Sequence, residues 1–150
     1  MSELKNRIND AVKAALRAAD KARLNTLRMA MAAIKQREVD ERRELSNTEV
    51  VAVLSKMIKQ RRESCVQFRD AGRQDLADKE QAEIDCISEF MPQPLSNAEI
   101  DQLIDAAIAE TQAQSVKDMG KVMDALRPKV QGRAELGPVS ARVKARLSGA

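Results

Sequence analysis

Phe90-Met91-Pro92-Gln93-Pro94-Leu95-Ser96 is the stretch on which the reading of the fold turns. Neither proline can continue a helix, and each pushes the residue before it toward extended backbone. Ser96, with Glu99 three residues on, then forms a capping box that starts a new helix. The stretch reads as a short, semi-rigid hinge between a larger helical domain, residues 1–92, and a smaller one, residues 93–150. Charge changes character across it. Upstream, acids and bases are dense and mixed. From Gln93 to Gln114 there are four acids (Glu99, Asp101, Asp105, Glu110) and no base, and from Ser115 onward there are eight bases against three acids.

Working back from the hinge, the clearest local signal is Leu45-Ser46-Asn47-Thr48-Glu49-Val50. Ser46 and Glu49 make a second capping box, and Leu45 can staple onto Val50. The helix it starts is expected to run to about Ala71, with Gly72 as a left-handed stop. Its apolar stripe is Val50, Leu54, Met57, Cys65 and Phe68. Arg61 falls inside that stripe, whereas Lys59, Arg62, Arg69 and Arg73 lie on another face. A helix over about Asp75–Met91 offers Leu76, Ile84, Ile87 and Met91, with Glu80 and Glu83 beside them. The two helices form a hairpin in which Arg61 can meet Glu80 or Glu83 as a partly buried pair, a device for register more than for net stability. Earlier still, Leu4, Ile8, Val12 and Ala15/Leu16 recur at helical spacing from Ser2 onward. Asp20 caps a second helix whose stripe is Leu24, Leu27, Met31 and Ile34. The short connection makes these two helices antiparallel neighbours.

Downstream of the hinge, a fifth helix buries Ile100, Leu103, Ile104, Ala107 and Ile108. Ser115 caps a sixth, with Asp118 in its first turn, Val116, Met119, Met123 and Leu126 facing inward, and Pro128 ending it. A loop through Gly132-Arg133-Ala134-Glu135-Leu136-Gly137-Pro138 leads to a last helix that buries Val139, Val143 and Leu147. Gly120 lies inside the sixth helix, where glycine costs about 1 kcal/mol relative to alanine. Either a neighbouring helix packs closely there or a ligand approaches. No strand is expected, so the fold class is all-α: an N-terminal helical domain with a long antiparallel hairpin, followed by a small three-helix tail.

Composition narrows the chemistry. The chain has 150 residues, 43% of them hydrophobic and 33% charged, and its only aromatics are Phe68 and Phe90. A core of Leu, Ile, Val, Met and Ala suits helix bundles better than sheets. With 26 bases and 23 acids the net charge is only +3, too small for strong non-specific nucleic-acid binding unless the charges segregate. The longest apolar run, Met29 to Ile34, is far short of a membrane span, and no membrane partner is expected. Two cysteines and the absence of a recognisable leader point to a reducing cytosol.

Histidine is absent, and with it the commonest acid–base group and metal ligand. Cys65 and Cys86 with carboxylates make a poor zinc or iron set, so no metal is expected. In the hairpin Cys65 falls opposite about residue 80, which displaces Cys86 by roughly 9 Å at 1.5 Å per residue and argues against a disulfide. No glycine sits in a phosphate loop or a strand-to-helix fingerprint, so no nucleotide cofactor is expected. What remains is the basic end. Lys117 and Lys121 lie four apart opposite the apolar stripe of the sixth helix. Arg142 and Arg146 have the same spacing on the last helix, and Arg127, Lys129 and Arg133 lie between. That polarity suits a reader of phosphate backbone, while a solvated face with helix-dipole complementarity accounts for the same charges. No aromatic accompanies the bases, so base stacking is not on offer.

Five segments occur in an order that resembles the YqeY family: Lys-Gln-Arg-Arg-Glu-Ser (59–64), Phe-Arg-Asp-Ala-Gly-Arg (68–73), Phe-Met-Pro-Gln-Pro-Leu-Ser (90–96), Lys-Asp-Met-Gly-Lys-Val-Met (117–123) and Gly-Arg-Ala (132–134). These are small stand-alone bacterial proteins similar to the C-terminal region of the B subunit of glutamyl/aspartyl-tRNA amidotransferase. The resemblance covers nearly the whole chain. It implies a helical domain joined to a three-helix tail, and in the amidotransferase that tail contacts the body of the tRNA. It puts Lys117, Gly120, Lys121 and Arg133 at signature positions. Gln112 departs from the pattern where a helix-ending glycine is usual, as does Glu135 where a capping Asp or Asn is usual.

Three functions follow as expectations. The first is a non-catalytic module that binds tRNA or another structured RNA through its tail, using Lys117, Gly120, Lys121, Arg127, Lys129, Arg133, Arg142 and Arg146. The second is an accessory component of glutamine-dependent amide transfer, a carbon–nitrogen ligase activity, working with amidotransferase or synthetase subunits. The third is a protein–protein adaptor that works through its hairpin. No catalytic residue is assigned.

Overall fold

The computed structural model describes residues 2–149, and among these there are seven α-helices, one 3-10 turn and no strand. The helices are α1 (Glu3–Arg17), α2 (Lys21–Glu41), α3 (Asn47–Asp70), α4 (Gln74–Ser88), α5 (Asn97–Thr111), α6 (Met119–Val130) and α7 (Leu136–Leu147). They fall into two compact units, residues 1–91 and 92–150.

In the first unit local chemistry sets each helix start. The Ser2 hydroxyl accepts from the Lys5 amide at 3.0 Å, and the Asp20 carboxylate accepts from Arg23 at 3.2 Å. Ser46 and Glu49 complete their reciprocal box. These contacts satisfy amides that a helix's first turn leaves without partners. One such partner is distant in sequence: the Leu4 amide donates to Asn47 Oδ1 at 3.1 Å, joining the starts of α1 and α3. Beside it, Glu38 takes the Lys5 ammonium on one oxygen (2.6 Å) and the Leu45 amide on the other (2.9 Å). Ile8, Leu27, Ile34, Val50, Leu54 and Ile87 fill the core. Truncating one of them, for example Leu54→Ala, would cost about 3 kcal/mol.

The α3–α4 hairpin turns at Gly72, whose φ of 75° is the left-handed conformation that glycine adopts without a Cβ clash. Arg61 Nε meets Glu83 Oε2 at 2.9 Å, with both side chains 14% exposed. Cys65 and Cys86 are buried and unlinked, and Cys65 Sγ lies 3.3 Å from the Ala77 carbonyl it donates to. Two expectations need correction here. Leu16 is 57% exposed, so Ala15 alone continues the α1 stripe. Helix α4 stops at Ser88 rather than near Met91. The amides of Phe90 and Met91 turn back to Ile87 and Ser88, three residues earlier, which tightens the chain ahead of Pro92. The turn buries the Phe90 ring, with the Arg7 guanidinium 5.8 Å from its centre.

In the second unit the Ser96–Glu99 box starts α5, and Ile104, Val122, Leu126, Val130, Val139 and Val143 are fully buried. Three details differ from the sequence expectation. Ser115 caps the 3-10 turn Val116–Asp118, which leads directly into α6, and this turn leaves Val116 39% exposed. Pro128 does not end α6, which continues to Val130. A proline near a helix end forfeits a single amide bond, and the buried Val130 side chain holds the last turn in place. Helix α7 begins at Leu136, so Gly137 and Pro138 lie in its first turn, where a missing amide costs little.

Candidate nucleic-acid interface

The second unit is pinned at its entry. The Leu95 amide donates to the Arg133 carbonyl at 2.8 Å, and Arg133 Nε donates to the Gln93 carbonyl at 2.9 Å. Arg133 therefore ties the loop before α7 to the segment after Pro92, leaving its terminal guanidinium nitrogens for other contacts. Two departures from the family pattern bound the remaining loops. Gln112 adopts the left-handed conformation (φ 55°, ψ 36°) that a glycine would take without strain. Glu135 stands at the N-cap of α7 and makes no side-chain capping bond.

The eight candidate residues separate into two groups. Arg142 forks onto Asp101 at 3.0 and 2.8 Å, and Arg146 pairs with Asp105, so both clamp α7 to α5. The guanidinium of Arg142 holds the Asp101 carboxyl below its ordinary range, and Asp101 in turn raises Arg142. Arg127 contacts Asp124 at 2.9 Å, and Lys129 lies 3.7 Å from Glu110. Four of the eight bases in this unit are thus matched by its own acids.

Lys117 and Lys121 are different. Both are exposed, and among the described residues neither has a carboxylate within ion-pair distance. They flank the start of α6, where backbone amides and the helix dipole also favour an anion. Asp118, between them in sequence, is turned toward the loop. Its carboxylate accepts from the Gln114 amide at 2.9 Å and the Ser115 amide at 3.4 Å, contacts that hold its pKa below the ordinary value. Gly120 shares this end of the helix, and a Cβ placed on it would meet nothing within 4 Å. Close helix packing, one of the two explanations for this glycine, is therefore removed. Lys144, exposed and with no carboxylate within ion-pair distance among the described residues, belongs with the available bases, although the sequence pattern does not single it out. Its signal was its position two residues from Arg142, off the face that meets α5.

An open groove of about 790 Å³ between α2 and α4 is lined by Asp20, Arg23, Met29, Glu83 and Cys86 among others. There Arg23 is paired with Glu89, and burial pushes the Cys86 thiol up, away from the thiolate a nucleophile requires. Among the described residues no cluster of three or more Cys, Asp or Glu is placed to hold a metal ion. None of the described helices is long and apolar enough to cross a membrane.

Comparison with known proteins gives this geometry its family. The model of Yqey-like proteins matches residues 5–147. The chain belongs to the YqeY-like family. Among curated relatives, the Altered inheritance of mitochondria protein 41, mitochondrial, of Pyrenophora tritici-repentis is 29% identical over 130 residues, covering 85% of this chain and 71% of the relative. Its namesake in Eremothecium gossypii is 38% identical over 90 residues (59% of this chain, 49% of the relative), and that in Lachancea thermotolerans 32% over 120 residues (75% and 64%). The chain thus spans between about half and seven-tenths of these relatives. They are fungal proteins, and their names assign them to mitochondria without stating a reaction or a ligand.

Proposed function

We propose that this YqeY-like chain is a non-catalytic module that binds tRNA or another structured RNA through the second unit. The observation that carries the reading is the pair Lys117 and Lys121, exposed, with no carboxylate within ion-pair distance among the described residues, and on either side of the open backbone of Gly120. The other bases first grouped with them are largely committed within the fold. Lysines offer a phosphate charge and hydrogen bonds, and the second unit contains no aromatic to stack on a base. Recognition would therefore follow backbone shape more than sequence. The terminal nitrogens of Arg133 can add a third contact. Amidotransferase or synthetase subunits are then companions on the same RNA, with any amide-transfer chemistry residing in them. The compartment of this reading is a reducing one, the cytosol or, as the relatives' names have it for those proteins, the mitochondrion.

The test is a tRNA titration by fluorescence anisotropy over a range of salt. Lys117→Gln with Lys121→Gln removes two phosphate contacts, so the slope of log K against log salt flattens by about 1.8 units at roughly 0.9 per contact. Both side chains are exposed and unpaired, so circular dichroism stays unchanged. An unaltered slope, or no affinity of the wild-type chain for tRNA at low salt, overturns the reading.

A further inference from the structure

The hairpin also carries cations that the fold leaves without an ion-pair partner among the described residues. Arg61, on the inner side of α3, is held by Glu83, and Arg73 at the turn by Asp75. Lys59, Arg62 and Arg69 are all exposed and have no carboxylate within ion-pair distance among the described residues. At 3.6 residues per turn the three fall within an arc of about 80° on one side of α3, and they span about 15 Å along its axis. Val66, 54% exposed, lies within that arc, on the Lys59 side. The first unit therefore carries three co-facial cations on one helix that the fold leaves without an ion-pair partner among the described residues.

We propose that this outer face of α3, formed by Lys59, Arg62 and Arg69, is a second contact line for the phosphate backbone of structured RNA. The inference rests on the RNA reading above and deepens it. Charge complementarity selects the occupant: three unpaired cations along one helix face, without an aromatic, suit phosphates of one strand, and the exposed valine can lie against ribose. A rigid helix keeps the row aligned, so little ordering is needed on binding. Glu63 and Asp70, exposed at one edge of the arc, limit the approach from that side and give the surface a direction.

The chain of residues 1–150 provides the test, again by tRNA anisotropy across salt. The triple change Lys59→Gln, Arg62→Gln and Arg69→Gln should flatten the slope by about 2.7 units, which shrinks the affinity lost between 50 and 200 mM salt by about 40-fold. Glu63→Gln with Asp70→Asn, on the same helix, should change affinity in the opposite direction and tighten binding. If the α3 triple variant binds with the wild-type slope while the Lys117/Lys121 variant loses its share, the inference is wrong and the RNA reading stands. If neither variant differs from the wild type, both fall.

Discussion

Glu83→Gln should destabilise the first unit by about 2 kcal/mol, and the reason lies in what it leaves behind. Arg61 and Glu83 are both 14% exposed, and Arg61 also donates to the Met57 carbonyl at 3.3 Å. Taking away one partner of a fully buried pair costs about 3–5 kcal/mol, because the remaining charge is desolvated and unmatched. Here the residual exposure lets some water reach the guanidinium, which brings the figure down. Replacing both residues by methionine removes the orphan charge and keeps the volume, so Arg61→Met with Glu83→Met should fall within about 1 kcal/mol of the wild type or exceed it. In the cycle of Arg61→Met, Glu83→Met and the double change, each single change orphans one charge at about 2 kcal/mol, so the coupling between the two positions is about 3–4 kcal/mol. Because the chain has two units, one melting curve cannot be assumed two-state. Hydrogen exchange at the amides of Leu54 and Ile84 reads hairpin opening directly, and the amides of Ile104 and Leu126 serve as the control that should not move. If the two single changes add to the double within about 0.5 kcal/mol, the pair is an incidental surface contact and the argument fails.

Three further outcomes are expected. Gln112→Gly relieves a left-handed side chain at the end of α5, and after the added freedom of the unfolded chain it should stabilise the second unit by about 0.5–1 kcal/mol, read from its exchange-protected amides. Gly120→Ala fills open space inside α6, so it should add about 0.5–1 kcal/mol to the same amides while weakening tRNA binding; a gain in both would mean that no ligand approaches there. Glu49, hydrogen-bonded by Arg43 and at the Ser46 cap, has its pKa lowered from 4.5 to about 2. A carboxyl lowered by folding contributes stability above its unfolded pKa and loses it as the pH falls, so the urea midpoint of the first unit should drop between pH 4.5 and 2, and Glu49→Gln should flatten that drop.

The helical class and most helix starts were legible because their causes are local. Ser46 with Glu49 and Ser96 with Glu99 satisfy their own first-turn amides within four residues, and nothing distant is needed to read them. What was misread depended on packing. Pro128 looks like a stop in isolation, yet the last turn of α6 is held by Val130, whose burial is known only once the three helices are assembled. Gly120 posed the converse problem. A helical glycine signals a close approach, and only the surrounding space shows that no protein atom makes it.

The candidate interface was least legible where charge was counted along the chain. A run with four acids and no base followed by a strongly basic end looks like polarity offered to a ligand. In the folded unit α5 and α7 are separated in sequence by α6 and run in the same direction, so acids at 101 and 105 come level with bases at 142 and 146. Equal four-residue spacing on two helices of opposite sign is a ladder, and a ladder neutralises itself. A basic segment is free for an external anion only where no nearby acidic segment of the same spacing is brought alongside it by the topology. By that test Lys117, Lys121 and the α3 row of Lys59, Arg62 and Arg69 keep their charge, because among the described residues no carboxylate comes within ion-pair distance of them. Arg142 and Arg146 do not, which makes them clamps of the tail. Arg142→Gln should accordingly be read first as a loss of stability in the second unit, and only a fall in tRNA affinity with α7 still intact would return Arg142 to the interface.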